Sequence, residues 1–523
     1  MWHSKLNHPC LPLSPPVFQS NDSFPTVAFG EPMPGAMQRT SRAAKAKAKP
    51  SVMKKPAAAP RKPNRGSGAG TDRVVRCTHA TFSIDKFVAA LCEKARVVIA
   101  PFGPPLVLAT GCSGMGGPTL VLRSILGSAH RVREIFASEC RPATAHTLAV
   151  NVSPEHIFAD VAAAAVSGEA RASCLLHQRN CPVPQDEEDL FIAGFVCKGN
   201  SAQNPTRFRE DAAASHHMAT FWAVRQHLER RKPKVAVLEN VAGLQLPRGG
   251  SQTDTMLSYI LDQLRWPFYT VAVVRAAGHP LPTARPRLYF LLARSDVGDA
   301  ALLATRAEDL IRHASAMPRH HCETFFGDTA ATSWWQENGA VVRPKGWARA
   351  DLVIEAEYAQ AIARITAQGA ARLPDPIQLP PLSERESSKH LTGRTPWLRA
   401  QCDVYHEIAK HEASSLGPEL GSTDYQHALA DIGQSANRGR VCVDGSVPTV
   451  CTSTALWSYK LHRMITPSEL LALNGFPDYN LSTLSWFEAT SLAGNGMCST
   501  ALACVLLPAL AALGHATWPS GTA

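Results

Sequence analysis

Leu106-Val-Leu-Ala-Thr-Gly-Cys-Ser-Gly-Met-Gly-Gly-Pro-Thr-Leu-Val-Leu-Arg-Ser-Ile-Leu126 is the stretch on which the fold turns. Leu106 to Thr110 is a short apolar run of the kind that forms a buried strand. Thr119 to Leu126 places Leu120, Val121 and Ile125 on one helical face. Between them lies Gly111-Cys112-Ser113-Gly114-Met115-Gly116-Gly117. Glycines at a strand-to-helix turn let a ligand approach the backbone closely. The spacing differs from the dinucleotide fingerprint, so the turn alone leaves both a bound cofactor and a plain tight turn open.

The same rhythm continues downstream. Glu134 to Ser138 reads as a second strand and Pro142 to Val150 as a helix, with proline where its missing N–H costs little. His156 to Ala159 and Asp189 to Gly194 read as the third and fourth strands, and Met218 to Glu229 as a helix. Lys234 to Leu238 is a fifth strand, Asp254 to Leu264 a helix, and Tyr269 to Val274 and Arg287 to Leu292 two neighbouring strands. This alternation predicts an α/β sheet of parallel order with helices on both faces. After Ser295 the rhythm lapses. The stretch 295–445 holds helical segments at Ala301 to Ala314 and Ala350 to Ala367, a Trp334-Trp335 pair and a Pro-rich run from Leu373 to Leu382. Apolar order returns near Val447 and ends in a helix from Cys498 to Leu513. Four divisions follow: a disordered basic tail over 1–73, a catalytic domain over 74–294, a smaller irregular domain over 295–445, and a return to the catalytic domain over 446–523.

Charge has an address. The chain has 53 Lys and Arg against 43 Asp and Glu. Ten of those basic residues lie between Arg39 and Gly70, where there is no acid, so the rest of the chain is balanced. Such a tail suits nuclear import, a clamp on phosphates, or simple solubilisation. No apolar stretch is long enough to span a bilayer, and no membrane partner is expected. Met1 to Ser20 lacks the basic start and apolar stretch of a secretory signal, but its freedom from acids leaves an organelle-transit reading open. The 14 cysteines are scattered without a Cys-x-x-Cys pair. They read as buried apolar side chains in a reducing compartment, with no metal site expected.

Several strand ends carry chemistry. Glu139 follows the second strand, where an acid can accept from two ribose hydroxyls. Asp160 follows the third, placed to accept from an adenine amino group. Each alone reads more simply as a solvated or capping acid; together with the glycine turn they form a constellation at the carboxyl ends of the strands, where open α/β sheets bind ligands. Cys197 follows the fourth strand beside Lys198, whose charge favours a thiolate. Glu239 ends the fifth and would face the same crevice.

These residues carry a family resemblance. The order of motifs is similar to that of the cytosine-5 DNA methyltransferases. Gly114-Met115-Gly116-Gly117, with Cys112 and Ser113, resembles the family's cofactor loop, and Cys197 falls where its nucleophile loop would be. Pro233 to Val241 resembles the glutamate motif, and Pro282-Thr-Ala-Arg285-Pro-Arg287 the paired-arginine motif. Arg463 to Glu469 with Leu473 to Pro477 resembles the motif supporting target recognition, and Gly494-Asn495-Gly496 the last motif, which completes the cofactor pocket. The resemblance covers about residues 104–294 and 446–513. It implies a Rossmann-like class I methyltransferase sheet and S-adenosylmethionine as cofactor. The cofactor would be held by Cys112 to Gly117, Glu139, Asp160 and Asn495. It implies attack by Cys197 on carbon 6 of cytosine, with Glu239 on N3 and the amine, Arg285 on the base carbonyl or reacting region, and Arg287 supporting the pocket. Residues 295–445 would be the target-recognition domain. The expected partner is nucleic acid, duplex DNA first; RNA such as tRNA, or a catalytically weak DNA-binding relative, are the alternatives, and oligomeric state is not readable. The nucleus is the expected location, with an organelle as alternative.

The sequence departs from the family at Val196, where proline precedes the nucleophile, and at Lys198-Gly-Asn-Ser201 after it. It departs again at Cys112, where a phenylalanine would stack on adenine, and at Thr283, where a glutamine is usual.

Overall fold

The structure, a computed structural model, describes residues 82–164, 170–196, 218–248, 251–283, 285–327, 356, 359–363, 396–416, 427–436 and 440–519. The basic tail, Cys197 to Ser201, Trp334-Trp335, the Pro-rich run and most of Ala350 to Ala367 lie outside the described residues.

In chain order the elements begin with α1 (Ile84–Ala95), β1 (Val98–Ile99), β2 (Leu106–Gly111), α2 (Gly117–Leu126), β3 (Val132–Ser138), α3 (Pro142–Asn151), β4 (Ile157–Phe158) and the one-turn α4 (Val161–Ala164). A hairpin, β5 (Arg171–Cys174) and β6 (Arg179–Pro182), precedes β7 (Leu190–Gly194), α5 (Ala219–Arg231) and β8 (Val235–Val241). Then come β9 (Pro247–Arg248), β10 (Ser251–Thr255), α6 (Met256–Gln263), β11 (Tyr269–Ala276), β12 (Arg287–Arg294) and α7 (Ala300–Ser315). The chain continues with α8 (Pro396–Leu416), β13 (Leu429–Asp431), β14 (Val441–Cys442), β15 (Leu456–Ser458) and β16 (Arg463–Met464). It closes with α9 (Pro467–Leu473), α10 (Trp486–Asn495), α11 (Ser499–Ala512) and β17 (Ala516–Thr517).

Nine strands form the main sheet in the order β11-β12-β8-β7-β2-β3-β4-β5-β6. Its centre is parallel, as expected, but the sheet is mixed: β12 runs antiparallel to both β8 and β11, and β5 and β6 add an antiparallel edge. The cause is connection length. The link from β11 to β12 is too short for the crossover a parallel pair needs, so the two close as a hairpin and β12 slots in beside β8. Successive side chains on a strand point to opposite faces. Leu106, Leu108, Leu190, Ile192, Val235, Val237 and Leu291 therefore share one core with α1, α2, α7 and α11. Ala109, Phe191, Ala193, Ala236, Leu238, Phe290 and Leu292 pack on the other face with Phe221, Val224 and Leu228 of α5 and Ile260 of α6. Burial on both faces is why these strands read as continuous apolar runs. The result is the α/β Rossmann-like sheet with helices on both faces that the sequence predicts.

Helix α7 falls in the segment 295–445 by sequence, yet Leu303, Ala307 and Leu310 pack into the core of the main sheet. A second core lies elsewhere. Val404, Tyr405 and Ile408 of α8 pack against Ala430, Val441 and Trp457 of the small sheet β14-β13-β15-β16. Among the described residues no single helix is long and apolar enough to cross a membrane; α11, apolar all round, is buried between α2 and α7.

Candidate active site

The carboxyl ends of β2, β3, β4, β7 and β8 open on one side of the sheet. At the end of β2 the backbone turns sharply: Cys112, Gly114 and Gly116 have φ of 52°, 54° and 70°. The left-handed region is costly for a side chain, and Cys112 occupies it because its neighbours fix the turn. Ser113 is the main fastener. Its N–H donates to the Ser138 carbonyl (2.8 Å), and its Oγ accepts from Ser138 N–H (3.0 Å) and lies 2.6 Å from Thr110 Oγ1. Behind it sits Glu134, 3% exposed, accepting from Thr110 Oγ1 (2.7 Å) and Thr119 Oγ1 (2.9 Å). Burial raises this carboxyl to about 7 against the opposing pull of the two hydroxyls and of Arg123. At Gly114 a side chain would meet nothing within 4 Å, so the bare backbone faces open space where an adenosyl group can lie against it.

Glu139 is 7% exposed at the end of β3 and accepts from the N–H (2.9 Å) and Nε (3.4 Å) of Arg141. Asp160 is exposed beyond β4, and one oxygen caps Ala162 N–H at 2.9 Å. Burial, then the negative charge of Glu139, Cys140 and Asp160, pushes the Cys112 thiol up to about 12, so it stays protonated at neutral pH. The expected acids and the glycine turn thus come together at the carboxyl ends of β2, β3 and β4. The last motif packs against the turn. A side chain at Gly496 would come within 2.9 Å of Met115 Sδ, and one at Gly494 within 2.2 Å of the Cys451 carbonyl carbon. Asn495, between these two close approaches, is exposed at the C-terminus of α10.

On the neighbouring strands Gly194 stands in register with Glu239. A side chain at Gly194 would sit 3.4 Å from Glu239 Oε2, so the missing one leaves that oxygen uncovered from β7. Glu239 Oε1 is paired with Arg287 Nε at 2.8 Å, both largely buried. Cys197, three positions after Gly194, lies outside the described residues; its approach is described. Asn240, buried, donates from Nδ2 to the Phe195 carbonyl at 3.0 Å. Val196 N–H donates to Thr220 Oγ1 of α5 at 2.9 Å. A proline at position 196 could not make that bond. Both anchors escaped the sequence reading, because nothing local in Thr220 or Asn240 marks the distant atom each holds.

Arg285 has a structural role that the sequence did not suggest. It is 3% exposed, and its guanidinium donates to the Val450 (2.6 Å) and Gly494 (2.8 Å) carbonyls. It therefore clamps the returning segment, while Arg287 is the arginine that meets Glu239. Burial lowers the Arg285 guanidinium to about 10, still protonated at neutral pH. The paired-arginine spacing hid this: residues two apart on a strand share a face, but Arg285 precedes the first residue of β12 and is not held to that alternation.

One group of possible ligands was not expected from the sequence. His156, Cys174, His177 and Cys181 bring four ligand atoms within 4.8 Å of one another. The spacing Cys174-x2-His177-x3-Cys181 was legible in the sequence; the fourth member, His156, is joined to it only by the fold.

Comparison with known proteins finds a family and several similar proteins. The family model for C-5 cytosine-specific DNA methylase matches residues 112–505. Type II methyltransferase M.HpaII of Haemophilus parainfluenzae is 29% identical over 103 residues, which is 20% of this chain and 28% of that protein's length. Among solved structures, the S. pombe Dnmt2 methyltransferase has a TM-score of 0.38 at 11% identity, covering 78% of this chain and 99% of that one. The Entamoeba histolytica methyltransferase EhMeth has a TM-score of 0.40 at 10% identity, covering 79% and 99%.

Proposed function

The chain belongs to the C-5 cytosine-specific DNA methylase family, and on that premise we propose that it transfers a methyl group from S-adenosylmethionine to carbon 5 of cytosine in DNA through a covalent Cys197 adduct. The observation that carries the reading is the juxtaposition of Glu239 with the end of β7, three residues before Cys197, beside the open turn at Gly114.

S-adenosylmethionine supplies an electrophilic methyl group on a sulfonium. Its ribose hydroxyls suit Glu139 and its adenine amine suits Asp160, with the backbone from Cys112 to Gly117 beneath and Asn495 at the rim. Carbon 5 of cytosine is too weak a nucleophile alone. The Cys197 thiolate adds to carbon 6, forming a carbon–sulfur bond and passing the ring electrons to carbon 5. Glu239, oriented by Arg287, holds N3 and the exocyclic amine and stabilises the charge that develops there. After carbon 5 is methylated, a base takes its proton and the electrons expel Cys197. Asn240 and Thr220 fix the two residues before the nucleophile, which substitutes for the stiffness a proline would give. A base in duplex DNA must leave the stack to enter, at a cost of a few kcal/mol.

Target recognition is assigned to the segment 295–445 beyond α7, centred on the second core that α8 forms with β13 to β16. The basic tail over 1–73 is assigned to phosphate contact and nuclear import. The test is transfer of labelled methyl to duplex DNA by the purified chain, mapped by bisulfite sequencing, with tRNA as competitor. Cys197→Ser is expected to abolish transfer and trapping by 5-fluorocytosine DNA. Preferential methylation of tRNA would move the substrate to RNA; DNA binding without an adduct would make the chain a binding relative; full activity of Cys197→Ser would refute the nucleophile.

A further inference from the structure

At the far edge of the main sheet from β11, the hairpin β5–β6 meets the start of β4. Cys174 and Cys181 are buried, one on each strand. The turn between the strands carries His177 back over them, with Nδ1 3.4 Å from Cys174 Sγ and 3.3 Å from Cys181 Sγ. His156, just before β4, contributes Nδ1 at 4.0 Å from Cys174 Sγ, and its ring stacks on Phe158.

We propose that His156, Cys174, His177 and Cys181 form a structural zinc site that staples the β5–β6 hairpin to β4. Tetrahedral zinc, with bonds of about 2.3 Å to sulfur and about 2.0 Å to nitrogen, sets its ligands about 3.4 to 3.8 Å apart. The three separations above bracket that range, so small side-chain shifts complete the tetrahedron. The donors are two thiols and two imidazoles, a set that selects zinc over hard cations. Loss of the two thiol protons on binding leaves two thiolates that neutralise the dication. With four protein ligands no position remains for water or substrate, so the role is structural and not catalytic.

The hairpin has reason to need a staple. Its strands are four residues each, and its pairing to β4 is limited to the Phe158–Cys174 register with two flanking hydrogen bonds, Ala159 N–H to Ser173 and Leu175 N–H to Ile157. So short an edge hairpin is marginal alone. The metal would also steady β4, two residues before Asp160. Site and staple stand whether or not Asp160 binds adenine; an effect on cofactor affinity rests on the functional reading above.

The full chain, purified with reductant and without chelator, is expected to carry one equivalent of zinc by elemental analysis. The Cys174→Ser/Cys181→Ser double variant is expected to lose it. Because that variant can also misfold, unsubstituted protein stripped by chelator is reloaded with Co2+. The visible bands of tetrahedral cobalt and a thiolate charge-transfer band are expected, and the metal should protect Cys174 and Cys181 from alkylation. Metal-free protein with no cobalt spectrum would overturn the proposal. So would zinc retained at full stoichiometry by the double variant, or a Cys174–Cys181 disulfide in the purified chain.

Discussion

Glu134 offers a quantitative test of how the cofactor turn is supported. It is a buried carboxyl under the turn, bonded to Thr110 and Thr119, and Thr110 in turn contacts Ser113. Burial raises it from an ordinary 4.5 to about 7. A raised acid holds its proton longer when folded than when unfolded. Its favourable contribution is therefore complete below pH 4.5 and is lost as pH rises through about 7. The full excursion is about 3.4 kcal/mol, of which about 2.5 kcal/mol falls between about pH 5 and about pH 8. Glu134→Gln keeps the shape and can still bond both hydroxyls, accepting from one and donating to the other. Its stability should lack this dependence. Urea unfolding of both proteins across that pH range is the assay. The variant should gain about 2.5 kcal/mol on the unsubstituted protein from the acid end to the alkaline end. A difference independent of pH would refute the reasoning, since it would mean that Glu134 titrates alike folded and unfolded.

Other expectations follow from named contacts. Arg285→Met should cost about 2 to 4 kcal/mol by leaving the Val450 and Gly494 carbonyls unsatisfied, and should weaken cofactor binding; urea unfolding and equilibrium binding of S-adenosylmethionine check both. Gly494→Ala would drive a methyl group into the Cys451–Thr452 backbone, costing about 3 kcal/mol or more, read as a fall in melting temperature. Thr220→Val removes the acceptor for Val196 N–H. It should lower the rate of covalent trapping with little change in cofactor affinity, and Thr220→Ser should restore it; a Thr220→Val enzyme that traps at the normal rate would remove this residue from loop positioning. Deleting residues 1–73 should flatten the salt dependence of DNA binding, because fewer counterions are released; an unchanged slope would take the tail out of the interface.

By itself the sequence determined the local order of this molecule. Period-2 and period-3.6 patterns are written in neighbouring residues, so the strands from Leu106 to Leu292 and the last helix were legible to within a few residues. The positions of Glu139, Asp160 and Glu239 at strand ends were legible for the same reason. Helices α1 and α8 and the β5–β6 hairpin were passed over, because their patterns are short or mixed with polar residues. What the tertiary structure decided are meetings between residues far apart in the chain. It put β12 antiparallel beside β8, joined Arg285 to the Val450 and Gly494 carbonyls, and gave Val196 N–H to Thr220. It also carried His156 to Cys174, His177 and Cys181. No periodicity encodes such pairs, since each depends on how two separately formed surfaces pack and which buried polar atom then needs a partner.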